Sequence, residues 1–314
     1  MEVVRYDPSL APVWDAAVRG ARARHVLFER GYMDYHADRF EDASLLVMQG
    51  DRVAALLPAS RHGDEVRSHG GLTFGGLLSD DRLGAAATVE ALGLVLDALR
   101  ASGARRLVVK PVPHIYHVVP AEEELYALTV HGAQLVERAV SSAVPRGAPV
   151  RYSGERRRAL KKASPDVVLG RSDALEEFME VLAENLRRRH DLEPVHSAAE
   201  LRLLADRFPD AIKLYAATHA GAVVAGVVVY ETPVCAHAQY IASSDRGREL
   251  RAQDALFHHL LSDVYAEKRW FDFGISTEHD GPLNTGLVRN KEGFGARTVV
   301  FDRYAIDLTR PGVR

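Results

Sequence analysis

One cysteine, Cys235, is all that 314 residues contain. A single thiol excludes an internal disulfide and any metal site built on several thiolates. Long apolar runs are missing too. No stretch approaches the roughly 20 residues that span a bilayer as a helix. The first residues, Met1-Glu2-Val3-Val4-Arg5, lack the apolar core of a secretory signal. The cytoplasm is the expected compartment, with no membrane partner. There is no excess of positive charge either: 40 Lys and Arg against 43 Asp and Glu give a net charge of −3. Proteins that live on nucleic acid usually carry a basic surplus. The pairs His190-Asp191 and Glu278-His279 lack metal-ligand spacing, so no metal is expected.

What is present is an ordinary globular composition, 47% hydrophobic and 26% charged, in a chain longer than one core usually supports. Its two halves read alike. In the second, Ile212 to Thr218, Ala222 to Tyr230 and Cys235 to Ser243 carry strand patterns around the turn His219-Ala220-Gly221. Leu250, Leu256, Leu260, Leu261 and Tyr265 give Arg248 to Lys268 a helical period. Trp270 to Ile275 reads as a buried strand, Leu283 to Glu292 as a short helix, and Thr298 to Leu308 as a closing strand. The first half repeats this order. Ser44 to Met48, Val53 to Pro58 and Val66 to His69 are strands, Ala85 to Ala101 a helix, and Leu107 to Val112 a strand. Glu122 to Val130 is a short helix and Gln134 to Ala143 a last strand. Two copies of one β-β-β-α-β-α-β unit are expected, each a mixed sheet flanked by helices in an α/β (α+β) fold. The boundary falls between residues 145 and 146. A helical insertion, with helices at Ser153 to Ala163, Asp173 to His190 and Ser197 to Arg207, opens the second copy.

That order resembles the GNAT acyltransferase superfamily, and two such units with helices between them resemble the tandem Fem peptidyltransferases. Phe271-Asp272-Phe273-Gly274-Ile275-Ser276-Thr277-Glu278, Leu283-Asn284-x-Gly286-Leu287 and Lys291-Glu292-Gly293-Phe294-Gly295-Ala296-Arg297 are similar to tandem GNAT proteins of bacterial surface-sugar pathways. So are Lys110-Pro111-x-Pro113-His114-Ile115-Tyr116-His117 and Pro194-Val195-His196-Ser197. The resemblance implies transfer of an acyl group from acyl-CoA, whether acetyl, longer or hydroxylated, to the amine of a nucleotide-linked amino sugar. It places acyl-CoA in domain 146–314, and leaves 1–145 to shape the acceptor cleft without CoA.

The same resemblance puts the CoA pyrophosphate where the third strand turns into the long helix, at Ser243, Ser244, Arg246, Gly247, Arg248, Arg251 and Ala252. Unpaired N–H groups and the positive dipole end of a helix suit a diphosphate there. This stretch departs from the family's Gln/Arg-x-x-Gly-x-Gly/Ala loop, because Arg246 and Gly247 are adjacent. The matching turn of the first copy, Gly71 to Gly76, has no basic residue.

Alternation puts His237 and Gln239 on one face of their strand and Tyr240 on the other. His237 is the first candidate to take the ammonium proton, with a satisfied core histidine as the competing reading. Glu278, past the end of Phe271 to Ile275, is the second candidate. Water or the leaving thiolate is a third acceptor that needs no side chain. For the acceptor, the candidates are His36, Arg39, Lys110, His114, His117, Asn185, His196, Tyr240 and Lys291. The run Arg156-Arg157-Arg158 with Lys161-Lys162 reads as a solvated helix face, and alternatively as a phosphate or tRNA contact. Three functions therefore stand open: a CoA-dependent N-acyltransferase, an aminoacyl-tRNA-dependent transferase of Fem type, and a non-catalytic tandem scaffold. A homodimer is left open.

Overall fold

A computed structural model describes residues 1–147, 149–190, 192–277 and 281–310. The chain divides into two compact units. One comprises Met1–Ala139 with Val300–Arg314, and the other Val140–Val299. The chain thus leaves the first unit six residues before the boundary expected from sequence and returns to it for the last strand.

In the first unit, β1 (Glu2–Arg5), β3 (Leu45–Gln49), β4 (Arg52–Leu57) and β7 (Leu78–Ser79) form an antiparallel sheet in the order β1-β3-β4-β7. A second ladder joins β2 (Glu41–Asp42), β5 (Ser60–His62), β6 (Glu65–Arg67) and β8 (Arg106–Val109). Helices α1 (Ala11–Gly20), α2 (Arg30–Met33), α3 (Ala85–Ala101) and α4 (Glu123–Val130) accompany them. Helix α3 forms because Leu92, Val95, Leu96 and Leu99 recur on one face, and all four are buried in a core with Leu45, Val47, Leu107 and Val109. Burying a side chain of that size is worth roughly 1.5–3 kcal/mol. Gly103, at φ +82°, takes the left-handed turn after it.

The second unit starts within β9 (Gln134–Pro145), continues through α5 (Gly154–Lys161), β10 (Val168–Ser172), α6 (Leu175–His190) and α7 (Ala198–Arg207), then enters β11 (Ile212–His219), β12 (Ala222–Glu231) and β13 (Cys235–Ser243). Ser197 and Glu200 close a capping box on α7, as that spacing favours. The single long helix expected over Arg248 to Lys268 is broken. It becomes α8 (Asp245–Glu249), α9 (Ala252–His259) and a π-turn over Leu260–Val264. The break lies at Arg251, whose φ of +54° no α-helix accommodates. Strand β14 (Trp270–Ile275), α10 (Thr285–Glu292) and β15 (Arg297–Asp307) complete the chain.

The closing strands are exchanged relative to the sequence reading. Strand β15 pairs with β8, through Tyr304↔Val109 to Asp307↔Arg106, and puts Ile306 and Leu308 into the first unit's core. The end of β9 pairs with β14 through Phe271↔Val144 and Asp272↔Ala143, and Val144 joins Phe271 and Phe273 in the second core. Local alternation fixes that these segments are strands, but long-range packing fixes their partners.

Glu124 on α4 is a buried acid whose Oε1 accepts a hydrogen bond from Leu77 N at 2.6 Å. Burial pushes its carboxyl up to about 7. The native state therefore keeps a proton that the unfolded chain gives up, so the stability linked to it is full at acid pH and is lost as pH rises through about 7. The loss amounts to about 3 kcal/mol at 1.36 kcal/mol per pH unit. Glu124→Gln keeps an acceptor for Leu77. It is expected to flatten the decline in unfolding free energy between about pH 5 and pH 8. Denaturation profiles of the two proteins that stay parallel over that range would contradict this.

Candidate active site

Strands β13 and β14 run parallel and pair at only three positions, Cys235↔Trp270, Ala236↔Phe271 and His237↔Asp272. Beyond His237 the ladder ends, although β13 continues to Ser243. At that point Asp272, fully buried, accepts three hydrogen bonds: His237 Nδ1 at 2.8 Å, Ser141 Oγ at 2.6 Å and Gly274 N at 3.0 Å. A carboxylate has the acceptor capacity for all three. It holds the imidazole with Nδ1–H toward Asp272, which leaves the lone pair on Nε2. Gly274 sits at φ +76°, and a Cβ there would lie 3.4 Å from the His237 ring. His237 is thus oriented by three strands, and Asp272 carries that orientation. Asp272 and Ser141 were absent from the sequence candidates. The available signal was a charged residue between Phe271 and Phe273 in a strand that otherwise reads as core.

The alternation expected through Tyr240 is interrupted. Val228 pairs with Tyr240 and Val229 with Ala238, so Gln239 is the extra residue of a β-bulge. Its Oε1 is buried and has no hydrogen-bond partner among the described residues. Tyr240 hydroxyl instead bonds His196 Nδ1, which ties β13 to the segment before α7. Lys291 is 4% exposed and donates to Gly274 O at 2.7 Å, Ile275 O at 2.9 Å and Ser276 Oγ at 2.8 Å. Burial pulls its ammonium down to about 8, against the opposing pull of Asp272. Lys291 thereby holds the end of β14 beside His237. Glu278 lies outside the described residues.

A second feature of the same unit is a cleft of about 590 Å³ lined by Arg156, Gly247, Arg248, Arg251, Gln253, Asp254, Asn284, Gly286, Leu287, Asn290 and Phe294. Gly247 is obligatory: a Cβ would meet Val224 O at 2.0 Å and Ser243 Oγ at 2.6 Å. Ser244 caps α8 by accepting from Gly247 N at 3.1 Å, and Ser243 and Ser244 hydroxyls both donate to Val224 O. These serines anchor the loop. The three arginines divide. Arg246 pairs with Glu249 at 3.0 Å on the surface, and Arg248 is held by Asp245, by Ser243 O at 2.5 Å and by Asn185 Oδ1 at 3.3 Å. Asn185 also donates to Ser243 O at 2.9 Å, so it braces this loop from α6. Arg251 lines the cleft as the N-cap of α9 and gives that helix no side-chain cap. Its left-handed backbone costs about 1–2 kcal/mol, a strain of the kind that collects at functional sites. Ala252 opens α9 and is buried.

The basic run of α5 also splits. Arg157, Arg158, Lys161 and Lys162 are exposed. Arg156 instead turns inward, with its guanidinium 4.2 Å over the Phe294 ring and one end ion-paired with Asp254.

In the first unit, His36 is buried among Tyr35, Phe40 and His69, with ring centroids 4.3, 4.9 and 5.2 Å away. Gly71 packs so closely that a Cβ would lie 2.5 Å from His36 Nε2. The same loop receives Lys110, whose Nζ donates to Leu72 O and whose ammonium burial pulls down to about 8. Burial and neighbouring cations pull His69 down to about 3. Arg39 is exposed, 3.9 Å from Asp38. His114 is exposed, while His117 is buried and bonds Val112 O at 2.9 Å. His36 and Lys110 thus share one loop, and His117 serves another wall. In the turn Gly71 to Gly76 and the Leu77 that follows it, a buried carboxyl already sits: Glu124 accepts from Leu77 N, and a Cβ on Gly76 would lie 2.5 Å from Oε2.

Residues 150–280 match the acetyltransferase (GNAT) domain family. No curated protein matches the sequence. FemX superposes with a TM-score of 0.69 at 11% identity, covering 97% of this chain and 97% of its own. The C-terminal domain of a putative lysylphosphatidylglycerol synthetase from Agrobacterium fabrum gives 0.61 at 13% identity, with 95% and 91% covered. The L-PGS structure from Bacillus licheniformis gives 0.60 at 14%, with 98% and 94% covered. The fold is the GNAT-like tandem α/β arrangement, and the match over residues 150–280 supports an acyltransferase. Among the described residues no cluster of metal-ligating side chains occurs, and no helix is long and apolar enough to cross a membrane.

If Asp272 sets the His237 tautomer, Asp272→Asn should reverse it by offering an N–H to Nδ1. A loss of about 10²–10⁴-fold in kcat is expected, the range for a positioned proton acceptor. A rate that falls only with the folded fraction would reduce Asp272 to a structural role.

Proposed function

We propose that the protein transfers an acyl group from acyl-CoA to the amine of a phosphate-bearing acceptor, a nucleotide-linked amino sugar being the class that fits best. The observation that carries the donor is the start of α9. Its first-turn N–H groups have no side-chain cap, and they open into a cleft that Arg248, Arg251 and Arg156 also line. Helix N-termini with adjacent arginines are a standard cradle for a diphosphate.

The chemistry follows from the dyad. The acceptor amine attacks the thioester carbonyl, forming the C–N bond and a tetrahedral oxyanion. His237 Nε2 takes the proton from the resulting ammonium, and Asp272 stabilises the imidazolium. Collapse breaks the C–S bond, and the thiolate leaves and is protonated. An amine N–H donated to Gln239 Oε1 would satisfy that buried acceptor atom. On the acceptor side, Arg39 and Lys110 offer cations, and Tyr35, His36 and Phe40 offer rings, within the first unit. Since Glu124 already fills that unit's counterpart of the donor loop, its role goes to the acceptor. The unit of 1–139 with 300–314 and the unit of 140–299 then divide acceptor and donor duties.

The second reading, an aminoacyl-tRNA donor, draws on the exposed Arg157, Arg158, Lys161 and Lys162. Steady-state kinetics on two arginines tests the first. Arg251→Ala should raise the KM for acyl-CoA at least tenfold, while Arg246→Ala, already spent on Glu249, should change it less than about twofold. Equal effects would remove the case for the α9 cradle. For the acceptor, Arg39→Ala should raise acceptor KM alone, by a factor that shrinks with added salt. An unphosphorylated amine as the best acceptor would contradict the assignment.

A further inference from the structure

Asp254 is out of place. It is buried in the first turn of α9, at the mouth of the cleft, where a carboxylate competes with any phosphate for the helix N-terminus. Its ion-pair partner is Arg156, reaching across from α5. Arg156 is itself under-used. Its Nε is buried with no partner among the described residues, and Nη2 reaches Asn290 O only at 3.4 Å. A guanidinium has five donors, and one strong contact occupies this one. The side chain is held in place by the Phe294 ring, which packs against Phe273 and Phe257, and by Ser153, which caps α5 through Arg156 N at 3.1 Å. It therefore stands as a fixed plank between α5, α9 and α10.

We propose that Arg156 and Asp254 form a charge gate on the donor cleft, in which Arg156 binds the donor's phosphate and Asp254 competes with that phosphate for the guanidinium. This rests on the acyl-CoA reading above and assigns it a residue from the linker helix. The carboxylate keeps the arginine oriented and discriminates against weakly charged ligands, since only a dianionic group displaces it. The gate makes opposite demands on its two members. Removing Arg156 leaves an uncompensated carboxylate facing the phosphate, and removing the charge of Asp254 frees the arginine for it.

Calorimetric titration of the full-length protein with CoA separates this from a simple brace. Arg156→Ala should weaken CoA binding by at least tenfold. Asp254→Asn should tighten it three- to tenfold, and the double variant should fall between the two. Dephospho-CoA and inorganic pyrophosphate, run as parallel titrants, show which phosphate the gate serves. Thermal melts of each variant check folding. If Arg156→Ala does not fold, Arg156→Lys, which keeps the charge but not the fork, should still bind CoA more weakly than wild type. Asp254→Asn that weakens binding, or variants all within twofold of wild type, would overturn the gate alone. A wild-type protein that binds no CoA would overturn the donor reading and the gate with it.

Discussion

A buried carboxylate needs donors, and much of the second unit is arranged to supply them to Asp272. Leaving that charge without partners in the core would cost several kcal/mol. The partners come from β9, from β13 and from the backbone after Asp272 itself, so satisfying it fixes three strands against one another. Gly274 must take a positive φ for its N–H to reach back, and the β13–β14 ladder ends at the level of His237. The sheet thus opens beside an imidazole that the same carboxylate has already oriented. Structure and chemistry meet in one side chain.

The cleft at the start of α9 obeys a different constraint, the close approach of backbones. Gly247 admits α8 to within contact of Val224, Ser243 and Ser244 fasten the loop to that carbonyl, and the chain then passes through a left-handed Arg251 before α9 begins. That kink creates a fresh helix N-terminus inside the cleft. A continuous helix would have offered none there. Arg248 and Asn185 are largely consumed in bracing the loop, which leaves Arg251 and Arg156 as the cations with capacity for a ligand.

Periodicity made much of this legible. Strand β13 and strand β14 have the limits that alternation and buried runs gave them, α3 spans the expected Ala85 to Ala101, and His237 stands at the opening of the sheet. What sequence could not reveal has physical causes. Strand partners for β9 and β15 depend on which core their apolar faces enter, and both cores read alike locally. The helix break at Arg251 is invisible because arginine is a good helix former and its positive φ is imposed by the loop. Asp272 is not legible because a lone acid in an apolar strand carries no motif. Arg156 reads like its exposed neighbours because a helix period of 3.6 residues says which residues share a face, but not which face meets a partner.

The central claim is that the acyl group comes from CoA and passes under His237 to an amine. The most direct measurement is a single-turnover transfer assay with the purified protein and a nucleotide-linked amino sugar. Radiolabelled acetyl-CoA is supplied in one arm and radiolabelled aminoacyl-tRNA in the other. Label is expected in amide linkage on the sugar in the CoA arm only, with the signal suppressed in a His237→Ala protein. Label arriving only from the tRNA arm, or arriving from CoA undiminished without His237, would contradict it.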